Sequence, residues 1–267
     1  MSTLRITAAL IIAAAAPALA QNYRTYEQCE HEAQRTADVD ASGIRLLKVK
    51  ARAGSLKIEG RAGLTRIVVR GRACASSAQL LEDIELRAER RGSEIVVESM
   101  QREQSWVFTG NSYARLDLVM EVPMRIAAEI ADGSGNVELM NLGAVELTDG
   151  SGEITGHDLH GDVNIRDGSG NITLTDVGGE LKIHDGSGSI EVRSVAGRID
   201  ITDGSGEVDV RGARNSVRIS DGSGSIGVTD VAGDLTIDRD GSGEVEYANV
   251  RGRVEIPRRR GRRTEAL

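Results

Sequence analysis

The sequence predicts an all-β protein, a flattened parallel β-solenoid with two short strands in each coil. Three observations predict it. Asp-Gly-Ser-Gly begins at Asp132, Asp149, Asp167, Asp185, Asp203, Asp221 and Asp240, at spacings of 17, 18, 18, 18, 18 and 19 residues, and a short fixed period marks a chain that stacks coil on coil. Within each period, two short segments alternate apolar and polar residues, the pattern of strands buried on one face. The composition, 2% aromatic with 32 Gly in 267 residues, suits thin aliphatic packing rather than a compact globule.

Taken in order, residues 1–20 predict a cleaved secretory signal peptide. Arg5 supplies a short positive region, Ile6 to Ala16 is an apolar run too short to span a bilayer, and Ala18-Leu19-Ala20 is a small-x-small cleavage site before Gln21. The formal net charge of −8 becomes −9 once Arg5 leaves with this leader. An acidic body argues against nucleic acid as a partner. No later segment reaches the roughly 18 apolar residues of a transmembrane helix, so the expected location is the periplasm or the cell surface and exterior. In that oxidising setting Cys29 and Cys74, the two cysteines of the chain, are read as one disulfide, with two buried free thiols as the alternative.

Residues 21–131 predict an irregular β segment that caps the solenoid. Tyr23 to Asp38 has helical composition and is expected as a short capping helix carrying Cys29. Ser55 to Glu59, Arg66 to Arg70, Ile84 to Arg87, Glu94 to Glu98 and Arg115 to Val122 alternate as strands up to Pro123.

Residues 132–257 predict seven stacked coils. The coil from Asp167 to His184 would bury Ile172, Leu174, Leu181 and Ile183, with Val177 in the second turn; Ile190, Val192, Val195, Ile199 and Ile201 fill the same slots one period later. Five buried aliphatics cannot order a coil alone, so stacking must supply the rest. In the first turn, Gly supplies positive φ while Asp and Ser bond nearby backbone amides, giving a ladder of seven carboxylates at solvent-screened cost. A second polar ladder, Asn141, Asp158, Asp176, Ser194, Asp230 and Asn249, marks the other turn. Outward columns such as Lys182, Asp200 and Arg218 read as register guides. Residues 258–267, with Arg258, Arg259, Arg260, Arg262 and Arg263, are expected to be a disordered basic tail.

A signal peptide, strands of the type AGSLKIEG and TRIVVRG, the segment LDLVMEVP at Leu116 to Pro123, and repeats such as DGSGNITLTDVGGELKIHDGSG resemble the putative-adhesin, or toastrack, domain of bacterial envelope proteins. The resemblance spans roughly Ile44 to Ile256. It implies a β-solenoid envelope domain, mostly of unknown function, with no catalytic residue to transfer.

The chemistry expected from the residues is correspondingly spare. A serine recurring in every coil answers a demand every coil makes, so the seven DGSG serines read as turn residues and not nucleophiles. The sequence holds no GxSxG elbow, GxxxxGK[ST] loop or HExxH helix. No cofactor is expected; structural calcium on Asp167, Asp185, Asp203 and Asp221 is the alternative, although calcium-roll repeats have a shorter period and place Asp differently. His157 and His160, three apart, and His184 read as solvated histidines rather than zinc ligands. Trp106, Phe108 and Tyr113 form the one aromatic cluster, read as a hairpin packed over the solenoid end or as a partner contact, and Arg258, Arg259 and Arg260 as a second candidate contact. The function expected is a non-enzymatic scaffold or adhesin-like module holding an envelope protein or glycan, with end-to-end self-association open to it. The rival reading is a solenoid carbohydrate-active enzyme, which would need a groove built from long loops that these compact coils do not supply.

Overall fold

The computed structural model describes residues 29–101, 112–257 and 264–266. The first strands are β1 (His31–Asp40), β2 (Leu46–Lys50), β3 (Leu56–Arg61) and β4 (Arg66–Ala75). A single helical turn, α1 (Ala78–Glu82), follows, then β5 (Ile84–Arg91), β6 (Glu94–Gln101) and β7 (Ala114–Pro123). From there two-strand coils succeed one another: β8 (Ala127–Ala131) and β9 (Val137–Met140), β10 (Val145–Asp149) and β11 (Ile154–Leu159), β12 (Val163–Asp167) and β13 (Ile172–Val177), β14 (Leu181–Asp185) and β15 (Ile190–Val195). The run continues with β16 (Ile199–Asp203) and β17 (Val208–Ala213), β18 (Val217–Asp221) and β19 (Ile226–Val231), β20 (Leu235–Asp240) and β21 (Val245–Val250), and ends with β22 (Val254–Glu255) and β23 (Thr264–Ala266).

From β7 onward, alternate strands go to opposite sheets. One sheet runs β1-β4-β7-β3-β9-β11-β13-β15-β17-β19-β21-β23, the other β22-β20-β18-β16-β14-β12-β10-β8-β2-β6-β5. From β8 onward every neighbour is parallel and the register repeats coil to coil, as Leu181 pairs Ile199, which pairs Val217, with one shift at Ile219/Ser220 where β18 pairs β20. The chain is thus an all-β parallel solenoid, and Ile172, Leu174, Val177, Leu181 and Ile183 lie in one continuous aliphatic core, each no more than 2% exposed.

The N-terminal part belongs to the same two sheets but is threaded out of sequence. β2 and β3 pair in parallel with β8 and β9. On their other side lie β6 and β7, also parallel. The chain therefore lays down an inner coil, leaves it to build the end of the stack, and returns over it. At that end β1, β4 and β5 pair antiparallel, which closes the parallel register with a hairpin-like cap and leaves its edge strands short of further parallel neighbours.

Two expectations change here. The helix expected over Tyr23 to Asp38 is strand from His31 on: His31–Asp40 pairs with Arg66–Ala75 over ten residues, alternating exposed and half-buried side chains. HEAQRTADVD offers no apolar stripe at helical spacing, while Ala37 and Val39 cover the core and Glu32 and Asp38 pair with Arg72 and Arg66 at 2.8 and 2.7 Å. Long-range pairing overrides local helical propensity. The helical turn lies instead at α1, where Ser77 Oγ accepts from Leu80 N at 3.2 Å and Arg35 Nη2 donates to the Leu81 carbonyl at 3.0 Å. Of the tail expected to be disordered, Thr264–Ala266 pairs with β21, and residues 258–263 lie outside the described residues.

Cys29 and Cys74 form the disulfide, which ties the start of β1 to β4. No helix among the described residues is long and apolar enough to cross a membrane.

Candidate functional site

The first turn of each coil is built on its aspartate. Asp149, Asp167, Asp185, Asp203 and Asp221 are each the last residue of a strand and, by the period-two alternation, face inward with the core residues. The expectation of solvent-screened turn carboxylates is corrected: the seven ladder aspartates are only 0 to 8% exposed. In five of them one oxygen holds the turn. Ser169, Ser187, Ser205 and Ser223 amides donate to Oδ1 of Asp167, Asp185, Asp203 and Asp221 at 3.0 to 3.2 Å, and Gly150 N to Asp149 Oδ1 at 2.7 Å. The serines thus serve through their backbone, whose carbonyls also accept from the glycine one coil back, as Gly170 N donates to Ser187 O at 2.9 Å.

The second oxygen is different. Oδ2 of Asp149, Asp167, Asp185, Asp203 and Asp221 is buried with no hydrogen-bond partner among the described residues. Burial accordingly pushes these carboxyls up, and the charges of neighbouring ladder members push further: Asp167 and Asp203 rise to about 6 through burial, then through Asp149 and Asp185, and Asp185 and Asp221, respectively. Asp132 rises to about 7, by burial first and by Asp149 second. Asp149, Asp185 and Asp221 are raised as well, mainly by burial, with turn amides pulling the other way. Closely stacked buried carboxyls oppose one another's ionisation, so the column keeps its protons to higher pH than free carboxyls do.

Glycine is required beside this column. Gly188 sits at φ 142°, and a Cβ there would run into the carbonyl oxygen of Gly170 one coil below. The turns stack backbone on backbone, which leaves the aspartate ladder no side-chain neighbour on that side.

The second turn carries the other ladder as expected, with one addition. Asn141, Asp158, Asp176, Ser194, Asp230 and Asn249 all have φ between 54° and 59°, and Gly212 at 76° fills the coil between Ser194 and Asp230. Asn, Asp and Gly tolerate this left-handed conformation best. His157 precedes Asp158, and the structure brings its imidazole to Asp158 and to Asp176 of the next coil: Nδ1 lies 2.8 Å from Asp158 Oδ2, and one ligand atom from each of the three lies within 4.8 Å of the others. This is the one such group of three metal-ligating residues among the described residues; the four aspartates weighed for calcium do not form one. Sequence spacing pointed to His157 with His160, whereas the stack joins His157 to a residue nineteen positions on. His160 and His184 are exposed on the surface.

Along the outer face of the second sheet runs a shallow depression of about 610 Å³. Its floor is the column Leu46, Ala127, Ala144, Asp162, Glu180 and Arg198, one residue from each of six consecutive coils, and Glu129, Glu146, Lys182 and Asp200 stand along it. Small side chains at Ala127 and Ala144 line the hollow with five carboxylates and two cations, and Lys48 and Arg166 pair with Glu129 and Glu146 at 3.2 and 3.4 Å from just outside it, which leaves a slight acidic excess.

Of the aromatic cluster, Tyr113 is described. Its hydroxyl accepts from Glu30 N at 3.1 Å and its amide donates to Ser76 Oγ at 3.1 Å, so it fastens the disulfide-bearing segment to the cap. Trp106, Phe108, Arg258, Arg259 and Arg260 lie outside the described residues, as do residues 1–20, where a leader is expected.

A family model described as Toastrack DUF4097 matches residues 69–265. No curated protein matches the chain. Among solved structures, a putative adhesin from Parabacteroides distasonis is similar at 11% identity, over 88% of this chain and 95% of that one, with a TM-score of 0.44. A putative lipid binding protein from the same species is similar at 16% identity, over 84% and 92%, with a TM-score of 0.43. A putative cell adhesion protein from Clostridium sporogenes is similar at 14% identity, over 85% and 99%, with a TM-score of 0.30.

Proposed function

The chain belongs to the Toastrack DUF4097 family, and from that premise we propose that it is an exported, non-enzymatic solenoid module of the cell envelope that holds an elongated protein or glycan partner. The observation that carries this reading is the acidic depression on the second sheet, which extends along the stack through six coils, roughly 24 Å at about 4.8 Å per coil. A small-molecule site encloses most of its ligand; an open strip of this length instead matches an extended chain lying along the stack. The carboxylates of the strip beyond those paired with Lys48 and Arg166, namely Asp162, Glu180 and Asp200, favour a partner that presents amino or guanidinium groups. The leader at residues 1–20 supports export, and the disulfide supports an oxidising destination.

The first experiment is protease accessibility of the native protein on intact cells and on cells with a permeabilised outer membrane. Digestion on intact cells places the module at the surface and makes adhesion the reading to pursue. Protection until permeabilisation makes it a periplasmic scaffold. Cross-linking then tests the strip directly: Glu146→Lys with Glu180→Lys should abolish capture of the partner while leaving the fold intact. Capture that survives both changes moves the contact elsewhere. Turnover of a substrate, abolished by a single substitution, would overturn the non-enzymatic reading.

A further inference from the structure

We propose that His157, Asp158 and Asp176 bind one divalent transition-metal cation of the zinc class, which would clasp two successive coils at their second turn. The site follows from how the fold repeats. Asp158 and Asp176 occupy the same left-handed slot of consecutive coils, since Leu159 pairs with Val177 and His157 with Thr175 in the β11–β13 register. Parallel pairing holds their backbones about 4.8 Å apart. The backbone is thereby fixed, and only side-chain torsions remain to bring the ligands together.

The rest of the column shows what is unusual about this pair. Where an aspartate recurs at Asp230, the next coil supplies a donor: Asn249 Nδ2 donates to Asp230 Oδ1 at 2.9 Å. The residues flanking the pair, Asn141 and Ser194, are neutral. Asp158 and Asp176 are thus the one place in this column where two carboxylates are stacked on consecutive coils, and the side chain that reaches toward them is an imidazole. Two carboxylates and an imidazole meeting at one point form a donor set that a divalent cation can bridge.

Geometry and donor type select the class of cation. Ligand atoms within 4.8 Å of one another need close by at most about 1.4 Å to reach the edge of a tetrahedron with bonds of about 2.1 Å. One nitrogen and two carboxylate oxygens suit a borderline ion of the zinc type with water in the fourth position. Calcium takes six to eight oxygens and finds too few here. The stoichiometry is fixed at one, because the neighbouring coils carry Met140 and Thr175 where His157 stands.

The test is calorimetric titration of the full chain, first stripped with a chelator, with zinc chloride and separately with calcium and magnesium chlorides. The expected result is one equivalent of zinc, with calcium and magnesium at least tenfold weaker, and visible absorption bands of tetrahedral geometry when cobalt(II) replaces zinc. His157→Ala and Asp176→Asn should each weaken zinc at least tenfold, and Asp230→Asn, in the same slot elsewhere, should leave it unchanged. Asparagine already occupies this slot at Asn141 and Asn249, so Asp176→Asn keeps the fold, and circular dichroism checks it. The proposal is overturned if no saturable binding appears at one equivalent, if both variants retain full affinity, or if His160→Ala abolishes binding while His157→Ala does not.

Discussion

Asp149 and Asp167 stand one above the other at the ends of β10 and β12, paired in register and only 4% and 6% exposed, each with Oδ1 bonded to its own turn and Oδ2 met by no donor. The same relationship recurs down the stack, so one turn motif writes a buried column of carboxyls through the protein. Holding the turn requires an acceptor at Oδ1, and the second oxygen is carried along with it.

Stability should therefore fall as pH rises toward neutrality. The folded pKa values at Asp132, Asp167 and Asp203, about 7, 6 and 6, lie above the ordinary 3.8. Groups raised in this direction contribute stability that is complete below the unfolded value and is lost as pH rises through the folded values. Thermal denaturation across pH 4 to 8 should give a midpoint that falls most steeply between about 4.5 and 6 and levels off above about 7. His184 and Arg239, whose positive charges act on Asp185 and Asp221, work against the trend without reversing it. A midpoint that climbs over the same window would show that the column is ionised without penalty.

Asp203→Asn should stabilise the protein by about 1 to 3 kcal/mol at pH 7.5 and by about half as much at pH 5. The amide oxygen keeps the bond from Ser205 N, and the amide nitrogen supplies donors to the carboxyls above and below. Asp203→Ala removes the turn acceptor and should destabilise at both values, by about 1 to 3 kcal/mol. Urea titrations of the two variants at the two pH values separate charge from turn geometry.

Gly188→Ala should cost more than about 3 kcal/mol or prevent folding, because the new Cβ meets the Gly170 carbonyl and the backbone is at φ 142°. Gly227→Ala is the control. It lies on the outer face of β19, where an added Cβ has only the Asp209 carboxylate at 3.9 Å, and should be neutral or stabilising by up to about 1 kcal/mol. Equal effects at the two positions would refute close backbone stacking of the turns.

Opening the disulfide by Cys29→Ala and Cys74→Ala should cost about 2 to 4 kcal/mol, as a link across a sequence separation of 45 residues constrains the unfolded chain. The loss should be concentrated in the cap, with hydrogen exchange rising in β1 and β4 while the amides of β12 to β18 stay protected.

Much of the fold was legible because a solenoid makes long-range contacts a function of local period. Ile172, Leu174, Leu181 and Ile183 could be placed in the core from alternation alone, and Asn141 to Asn249 could be placed in a turn from their residue types. Two matters were not legible. Asp149 and its equivalents look like turn residues in sequence, yet they close the inward-facing set of each strand, and the difference between a wet and a buried carboxyl is one position of register. His157 and Asp176 have no relationship in sequence until the coil height and the left-handed turn put their side chains together.

By itself the sequence determined the period, the two alternating segments, the core aliphatics, the glycine-dependent first turn and the cysteine pair, since each answers to constraints acting within one coil or between identical coils. Only the tertiary structure decided that His31–Asp40 is a strand, that the inner coil β2–β3 lies between β6–β7 and β8–β9, that the aspartate column is buried, and that His157, Asp158 and Asp176 converge at the second turn. Those outcomes depend on pairing between segments that share no local pattern, where the free energy comes from surfaces meeting across the stack rather than from the preferences of the residues that meet.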